Sequence, residues 1–346
     1  MLGIAMAERG LLPDPLVRVG IRRLLRDRLA TESARFADPD AALDRFVREM
    51  ARSEVAPVPH LANRQHYEVP ADFFEIVLGG HMKYSSALWA PGTASLDEAE
   101  AAMLALTCER AGLENGQRIL DLGCGWGSLS LFAAERHPGA RITAVSNSAS
   151  QGAFVRARAA ARGLRNVEVV TADVNRFAPS DRFDRVVSVE MFEHMRNWPE
   201  LLRRVRGWLE PAGRLFVHVF AHRRFAYPFA VDGDGDWMAR HFFTGGMMPS
   251  HDLLGRAGGP FEVEARWLVP GTHYRRTAEA WLERLDAGWP RAVAALARIL
   301  PRGEAERQAR RWRIFFLACA ELFGFAGGEE WVVSHHRLAP VPEVRA

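Results

Sequence analysis

The stretch Ile119-Leu120-Asp121-Leu122-Gly123-Cys124-Gly125-Trp126-Gly127 decides the fold. An apolar run leaves Arg118 and ends in three glycines at alternate positions, and Ser128 to Arg136 beyond it has helical periodicity. The pattern predicts a strand, a glycine turn and a helix, arranged as a cradle for a nucleotide. Glycine lets the chain turn tightly and lets a ligand approach the backbone closely, while the free N–H groups of a starting helix offer hydrogen bonds. Asp121 precedes the turn, where a carboxylate can hold a cation.

The spacing D-x-G-x-G-x-G is neither the dinucleotide G-x-G-x-x-G nor a phosphate loop with its Lys-Ser/Thr. It reads as the first motif of S-adenosylmethionine (AdoMet) methyltransferases, with a structural glycine turn or another nucleotide site as the alternatives. AdoMet has a sulfonium, an ammonium and a carboxylate but no pyrophosphate, so an acid beside bare backbone suits it better than a lysine. Gly123, Gly125 and Gly127 are the expected contacts, with Asp121.

Working outward, strands and helices alternate. Strands are expected at Ile119–Leu122, Arg141–Val145, Val167–Ala172, Arg185–Val189 and Arg214–Phe220, and helices from Ser128, from about Ala149 to Arg162 and from Pro199 to Leu209. Such alternation predicts an α/β, doubly wound, Rossmann-like parallel sheet with ligands beyond the carboxyl ends of the strands. The second strand ends in Val145-Ser146-Asn147-Ser148 with Gln151 on the next turn, where AdoMet enzymes often place an acid; hydroxyl and amide groups also bond ribose hydroxyls. The third ends in Thr171-Ala172-Asp173, and Asp173 is placed to accept from an adenine amino group, or to cap a turn.

The fourth strand ends in Ser188-Val189-Glu190-Met191-Phe192-Glu193-His194. If this segment bends into helical turns, Glu190, Glu193 and His194 share a face. His194 with a neighbouring carboxylate reads as a general base near neutral pH, and a further carboxylate attracts a cationic acceptor. A structural ion-pair network is the alternative. E-x-x-E-H is not H-E-x-x-H, so no metal is expected.

Composition bounds the rest. The 346 residues are 48% hydrophobic and 25% charged, with a net charge of +3, too small to argue for nucleic acid. Lys83 is the sole lysine, a bias assigned to coding composition. Cys108, Cys124 and Cys319 form no C-x-x-C and read as small buried residues. With no membrane-length apolar run and no signal-peptide pattern, a cytoplasmic location with at most peripheral membrane contact is the default. Residues 1–60 read as amphipathic helices capping a main domain over 61–346, with Ala56-Pro57-Val58-Pro59 as a linker. An aromatic, methionine-rich insertion at about 221–254 reads as a lid, its alternating Asp232 to Asp236 as a turn rather than a calcium loop.

From about Asn63 to Leu338 the sequence resembles the cyclopropane fatty acid synthase superfamily, and within it looks closest to the coclaurine N-methyltransferase branch. The shared signatures are His66-Tyr67, Met82-Lys83-Tyr84-Ser85, Leu122 to Ser128, Ser188 to His194, Phe242-Phe-Thr-Gly-Gly246 with Met248-Pro249-Ser250, and His273-Tyr274 with Thr277. The resemblance implies a seven-stranded AdoMet fold, with the donor contacted at Tyr84, Ser85, the 121–127 turn, Ser146, Asn147, Gln151 and Asp173. For the synthases it implies a bound bicarbonate, whose positions here are Ser86, Glu193, His218, Phe220 and Tyr274. Ser86 and Phe220 depart from that branch, and Glu190 replaces a synthase glycine and matches the N-methyltransferases.

The resulting expectation is an AdoMet-dependent methyltransferase acting on an amine nitrogen, with Glu193 and His194 accepting the proton and Glu190 positioning the substrate. The second reading modifies unsaturated acyl chains of lipids, using Glu193, His218 and Tyr274 around bicarbonate. A third is a silent AdoMet- or lipid-binding module. The acceptor itself and the oligomeric state are not legible in these residues.

Overall fold

The computed structural model describes residues 2–57, 69–229, 233 and 236–342. The His66-Tyr67 signature, the second half of the expected linker (Val58-Pro59) and most of the 232–236 turn lie outside the described residues.

A seven-stranded sheet is built from β1 (Arg118–Leu122), β2 (Arg141–Ser146), β3 (Val167–Thr171), β4 (Phe183–Val189), β5 (Leu209–His222), β8 (Phe261–Val269) and β9 (Trp331–Pro340), with β6 (Tyr227–Pro228) and β7 (Met247–Met248) pairing as a separate ribbon. The order is β3-β2-β1-β4-β5-β9-β8. The first five strands are parallel; β9 runs antiparallel to both β5 and β8. The expected α/β, Rossmann-like, seven-stranded AdoMet-dependent methyltransferase fold is what the chain adopts, with β9 as its one reversed strand, placed between β5 and β8 after a long helical excursion. β1 from Ile119 on, β4 at 186–188 and β5 from Leu215 to His222 are buried, as strands covered on both faces by helices must be.

Local chemistry sets the helices. Leu96–Ala111 starts where Ser95 Oγ accepts from Glu98 N at 3.2 Å and stops at Gly112, which takes the left-handed conformation with φ 65°. Ser128–Arg136, Ala149–Ala161 and Trp198–Trp208 follow β1, β2 and β4. On the far side lie Gly271–Ala287, Trp289–Leu296 and Arg302–Gly324. The N-terminal helices Leu2–Glu8 and Asp14–Arg35 pack on this C-terminal layer. Arg18 bonds Glu279 at 2.7 Å and Glu321 at 2.9 Å, Arg313 bonds Asp14 at 2.6 Å, and Arg311 bonds Glu8 at 3.0 Å. The insertion after β5 is fastened to the same layer by Phe242, stacked on Phe315 with centroids 4.3 Å apart and planes at 19°. Among the described residues no helix is long and apolar enough to cross a membrane.

The glycine turn has one strict steric demand at its end. Gly127 has φ 78°, and a Cβ there would lie 2.7 Å from Val155 Cγ2 of the neighbouring helix. A Gly127→Ala substitution is expected to destabilise the protein by about 1–3 kcal/mol, combining left-handed strain with overpacking. Chemical denaturation followed by circular dichroism checks this.

Candidate active site

A cleft lies beyond the carboxyl ends of β1 to β4, where the strand order reverses, the place at which open α/β sheets bind their ligands. Its walls include Gly123, Gly125, Ser146, Asn147, Gln151, Asp173, Glu190, Met191, His194 and Met195, with Ala56 from the N-terminal segment and Thr244 from the insertion. Six of the ten expected donor contacts are thus brought together. The other four are not among the lining residues. Gly127 serves helix packing, Tyr84 packs its ring against Phe74 and Trp281, and Ser85 Oγ accepts from Lys83 Nζ at 2.5 Å. Asp121, read as a cation holder, is buried under the turn and accepts from Ser130 Oγ at 2.6 Å; burial pushes its carboxyl up to about 6.

The lining fits AdoMet. Ser146 Oγ donates to Gln151 Oε1 at 2.8 Å, which fixes the amide and leaves the buried Gln151 Nε2 without a partner at the cleft wall. A donor held in this way is a vacant seat for a ligand oxygen. Gly125 has φ 51°, and a Cβ there would meet nothing, so its backbone faces open space. Asp173 Oδ1 accepts from Asn175 N at 2.8 Å, and Asn175 in turn exchanges two hydrogen bonds with the backbone of Ala56, at 2.9 and 3.1 Å.

Opposite lies the acid-base cluster. Glu190 follows β4 in the left-handed region, φ 48°, a costly conformation for a residue with a side chain. Its carboxylate is held on several sides. Oε1 accepts from Ser86 N at 3.0 Å and stands 3.2 Å from His218 Nε2; Oε2 accepts from Tyr274 OH at 2.7 Å. Lys83 is fully buried nearby, donating to Ser85 Oγ and to Ser86 O at 2.7 Å, and it lies between the charges of Glu190 and Glu100. Burial pulls its ammonium down to about 8. Glu100 braces the loop ahead of it, accepting from Gly79 N at 2.9 Å and His81 N at 3.0 Å, and burial pushes its carboxyl up to about 7. Lys83 stands in the sequence only as part of the Met82-Lys83-Tyr84-Ser85 signature, with no role of its own read from it.

Glu193 and His194 depart from the helical arrangement expected of them. Residues Phe192–His194 form a single 3-10 turn, so Glu193 points into the protein while His194 lines the cleft, its ring stacked on Phe243 at 5.7 Å. Glu193 Oε1 accepts from Phe220 N at 2.7 Å and Oε2 has no partner. Burial, then repulsion from Glu190, holds the Glu193 carboxyl well above the usual range. Two buried carboxyls this close do not both ionise. Glu190 has the donors and the lysine, so the charge belongs there and Glu193 carries a proton. Burial likewise pulls His194 down to about 4, despite the opposing pull of Glu190, so it is a neutral imidazole rather than a base poised near 7.

A family model described as mycolic acid cyclopropane synthetase matches residues 59–328. (S)-Coclaurine N-methyltransferase of Thalictrum flavum subsp. glaucum is 37% identical over 333 residues, covering 95% of this chain and 92% of that one. Cyclopropane-fatty-acyl-phospholipid synthase of Escherichia coli (strain K12) is 30% identical over 280 residues, 80% of this chain and 68% of that one. The crystal structure of coclaurine N-methyltransferase bound to N-methylheliamine and SAH superposes with a TM-score of 0.93 at 34% identity, covering 97% and 98% of the two chains. With its sheet, its donor cleft and these relatives together, the chain belongs to the mycolic acid cyclopropane synthetase family and is an AdoMet-dependent methyltransferase.

Proposed function

We propose that the enzyme methylates the nitrogen of a small hydrophobic amine. The observation that carries this reading is the seat of the Glu190 carboxylate. It is bound by Ser86, His218 and Tyr274, three of the positions at which the synthase resemblance puts bicarbonate. The protein's own carboxylate fills that place, which argues against a bicarbonate-dependent reaction on an alkene. The N-methyltransferase relatives point the same way.

AdoMet, when bound, supplies an electrophilic methyl on a cationic sulfur. Gln151, Asn147, Asp173 and the backbone of Gly123 and Gly125 would hold it. The chain's own contribution is placement and charge. Glu190, buried and anionic, attracts an ammonium or a nitrogen gaining positive charge; a pair at about 4 Å gains on the order of 4 kcal/mol at an effective dielectric near 20. An alkene carries no charge before reaction and gains nothing from it on binding. Met191, Met195 and Thr244 present a largely apolar wall to the rest of the substrate. His194 lines the wall of the same cleft as Glu190 and helps to place the nitrogen, and aligning these groups does much of the work.

With methyl-labelled AdoMet and separate pools of amines and unsaturated phospholipids, label is expected in amines. Label confined to lipid would remove the reading. Glu190→Gln and His194→Ala are each expected to lower kcat for the amine by roughly 10²–10⁴ with AdoMet affinity, measured by calorimetry, nearly intact. Turnover in carbonate-free buffer should equal turnover with added bicarbonate; stimulation by bicarbonate would instead support the lipid-modifying chemistry.

A further inference from the structure

Four successive backbone amides, at positions 86–89, go to four different partners. The segment is neither helix nor strand, so its N–H groups must be satisfied from outside it. Ser86 N donates to Glu190 Oε1 at 3.0 Å, Ala87 N to Thr277 Oγ1 at 3.1 Å, Leu88 N to Ala99 O at 3.0 Å and Trp89 N to His273 Nδ1 at 3.0 Å. Thr277 and His273 lie one turn apart on the helix Gly271–Ala287, and that helix also carries Tyr274, whose hydroxyl donates to Glu190 Oε2 at 2.7 Å. The seating of the segment on this helix therefore sets the gap between two donors that grip the two oxygens of one carboxylate.

Thr277 is the centre of that seat. Its side chain is fully buried and its one oxygen makes three hydrogen bonds, accepting from Ala87 N and from Trp89 Nε1 at 3.0 Å and donating to His273 O at 2.8 Å. A hydroxyl has one proton and two lone pairs, so no bonding capacity is left over for a substrate or for AdoMet. The peptide unit joining Ser86 to Ala87 is held at both ends, its carbonyl by Lys83 Nζ at 2.7 Å and its N–H by Thr277. Holding that unit fixes the direction of the preceding N–H, the one that Ser86 points at Glu190.

We propose that Thr277 is a positioning residue for the methyl transfer, keeping Glu190 in its two-sided grip by locking the segment 86–89 to the helix of Tyr274. This role rests on reading Glu190 as the anion that receives the amine. Both gripping bonds favour the ionised carboxyl, as do Lys83 and His194, while burial opposes it. Glu193 repels its charge, His218 stands beside it on β5, and Cys319 feels it from the helix Arg302–Gly324. Next to Thr277 the titratable group is His273, which burial and Arg276 both keep neutral. Removing the Thr277 oxygen leaves all these groups in place and loosens the grip, so the protonated carboxyl gains and the acid side of the activity profile is lost at higher pH.

Thr277→Val keeps the shape and removes the oxygen; Thr277→Ser keeps the oxygen and removes the methyl. In the full-length enzyme Thr277→Val is expected to lower kcat/KM for the amine roughly tenfold with the KM for AdoMet nearly unchanged, and to move the acid limb up by about one pH unit, equivalent to a tenfold rise in proton affinity at Glu190. Thr277→Ser should restore most of both. His273→Phe frees the Trp89 amide with Thr277 intact and should shift the limb the same way by less; it carries the test should Thr277→Val fail to fold. Comparing variants on one amine cancels the substrate's own ionisation.

Side-chain ¹³C NMR of glutamate-labelled enzyme saturated with S-adenosylhomocysteine titrates Glu190 without any amine, its signal identified by its loss in Glu190→Gln. Glu190 is expected to titrate at higher pH in Thr277→Val than in the unsubstituted chain and to return in Thr277→Ser. A titration and acid limb left unmoved by the variants overturn the proposal, whether or not rate and melting temperature fall, because Thr277 then has only a packing role. Equal shifts in Thr277→Ser and Thr277→Val also overturn it, since the methyl rather than the oxygen would matter. Absence of amine turnover by the unsubstituted enzyme would strike the proposed function and leave the carboxyl titration standing.

Discussion

A carboxylate forced into the interior governs this active site. Glu190 sits after β4 with a left-handed backbone and a side chain 8% exposed at the cleft wall, and burial works against its charge. Removing an ion from water is expensive unless hydrogen bonds and an opposite charge replace the solvent. Much of the surrounding construction does that. The loop from Gly79 to Ser86 brings one backbone N–H and a buried ammonium, β5 brings His218, and the helix Gly271–Ala287 brings Tyr274. Lys83 in turn stands between Glu190 and Glu100, which braces the same loop. The polar cluster is therefore a shared ionic system, and its parts come from segments more than 180 residues apart.

The same constraint separates the roles of the two glutamates. In sequence they are equivalent, three positions apart beside a histidine. In the fold, one acquires a set of donors and the other a single backbone N–H, so one is anion and the other acid. Environment assigns those roles, as it does wherever two carboxyls share a site.

Much of the frame was legible because it is local. The 119–127 turn, the helix at Ser128, the strand ends at Ser146 and Asp173 and the cap at Ser95 follow from spacing and backbone chemistry within a few residues. What was not legible is non-local. The reversal of β9 depends on which strands become neighbours after a helical excursion of about sixty residues, and no periodicity records that. The side chains of Tyr84, Ser85 and Asp121 pack or bond beneath the cleft wall, and the bare Cα of Gly127 admits Val155. Lys83 is the residue whose role was least legible. As the sole lysine in a chain otherwise rich in arginine it carried a signal, since a compact ammonium tolerates burial beside acids where a guanidinium has other needs.

The hold of Asn175 on Ala56 has a further consequence. Two backbone hydrogen bonds pin the end of the N-terminal segment against the Asp173 side of the cleft. At about 0.5–1.5 kcal/mol net apiece, such bonds part on thermal agitation and re-form. This clasp is separate from the hydrogen bonds that pair the strands of the sheet. It ties the breathing of that wall to helices whose anchors, Arg18 and Asp14, lie at the opposite end of the molecule's sequence from Glu321 and Arg313.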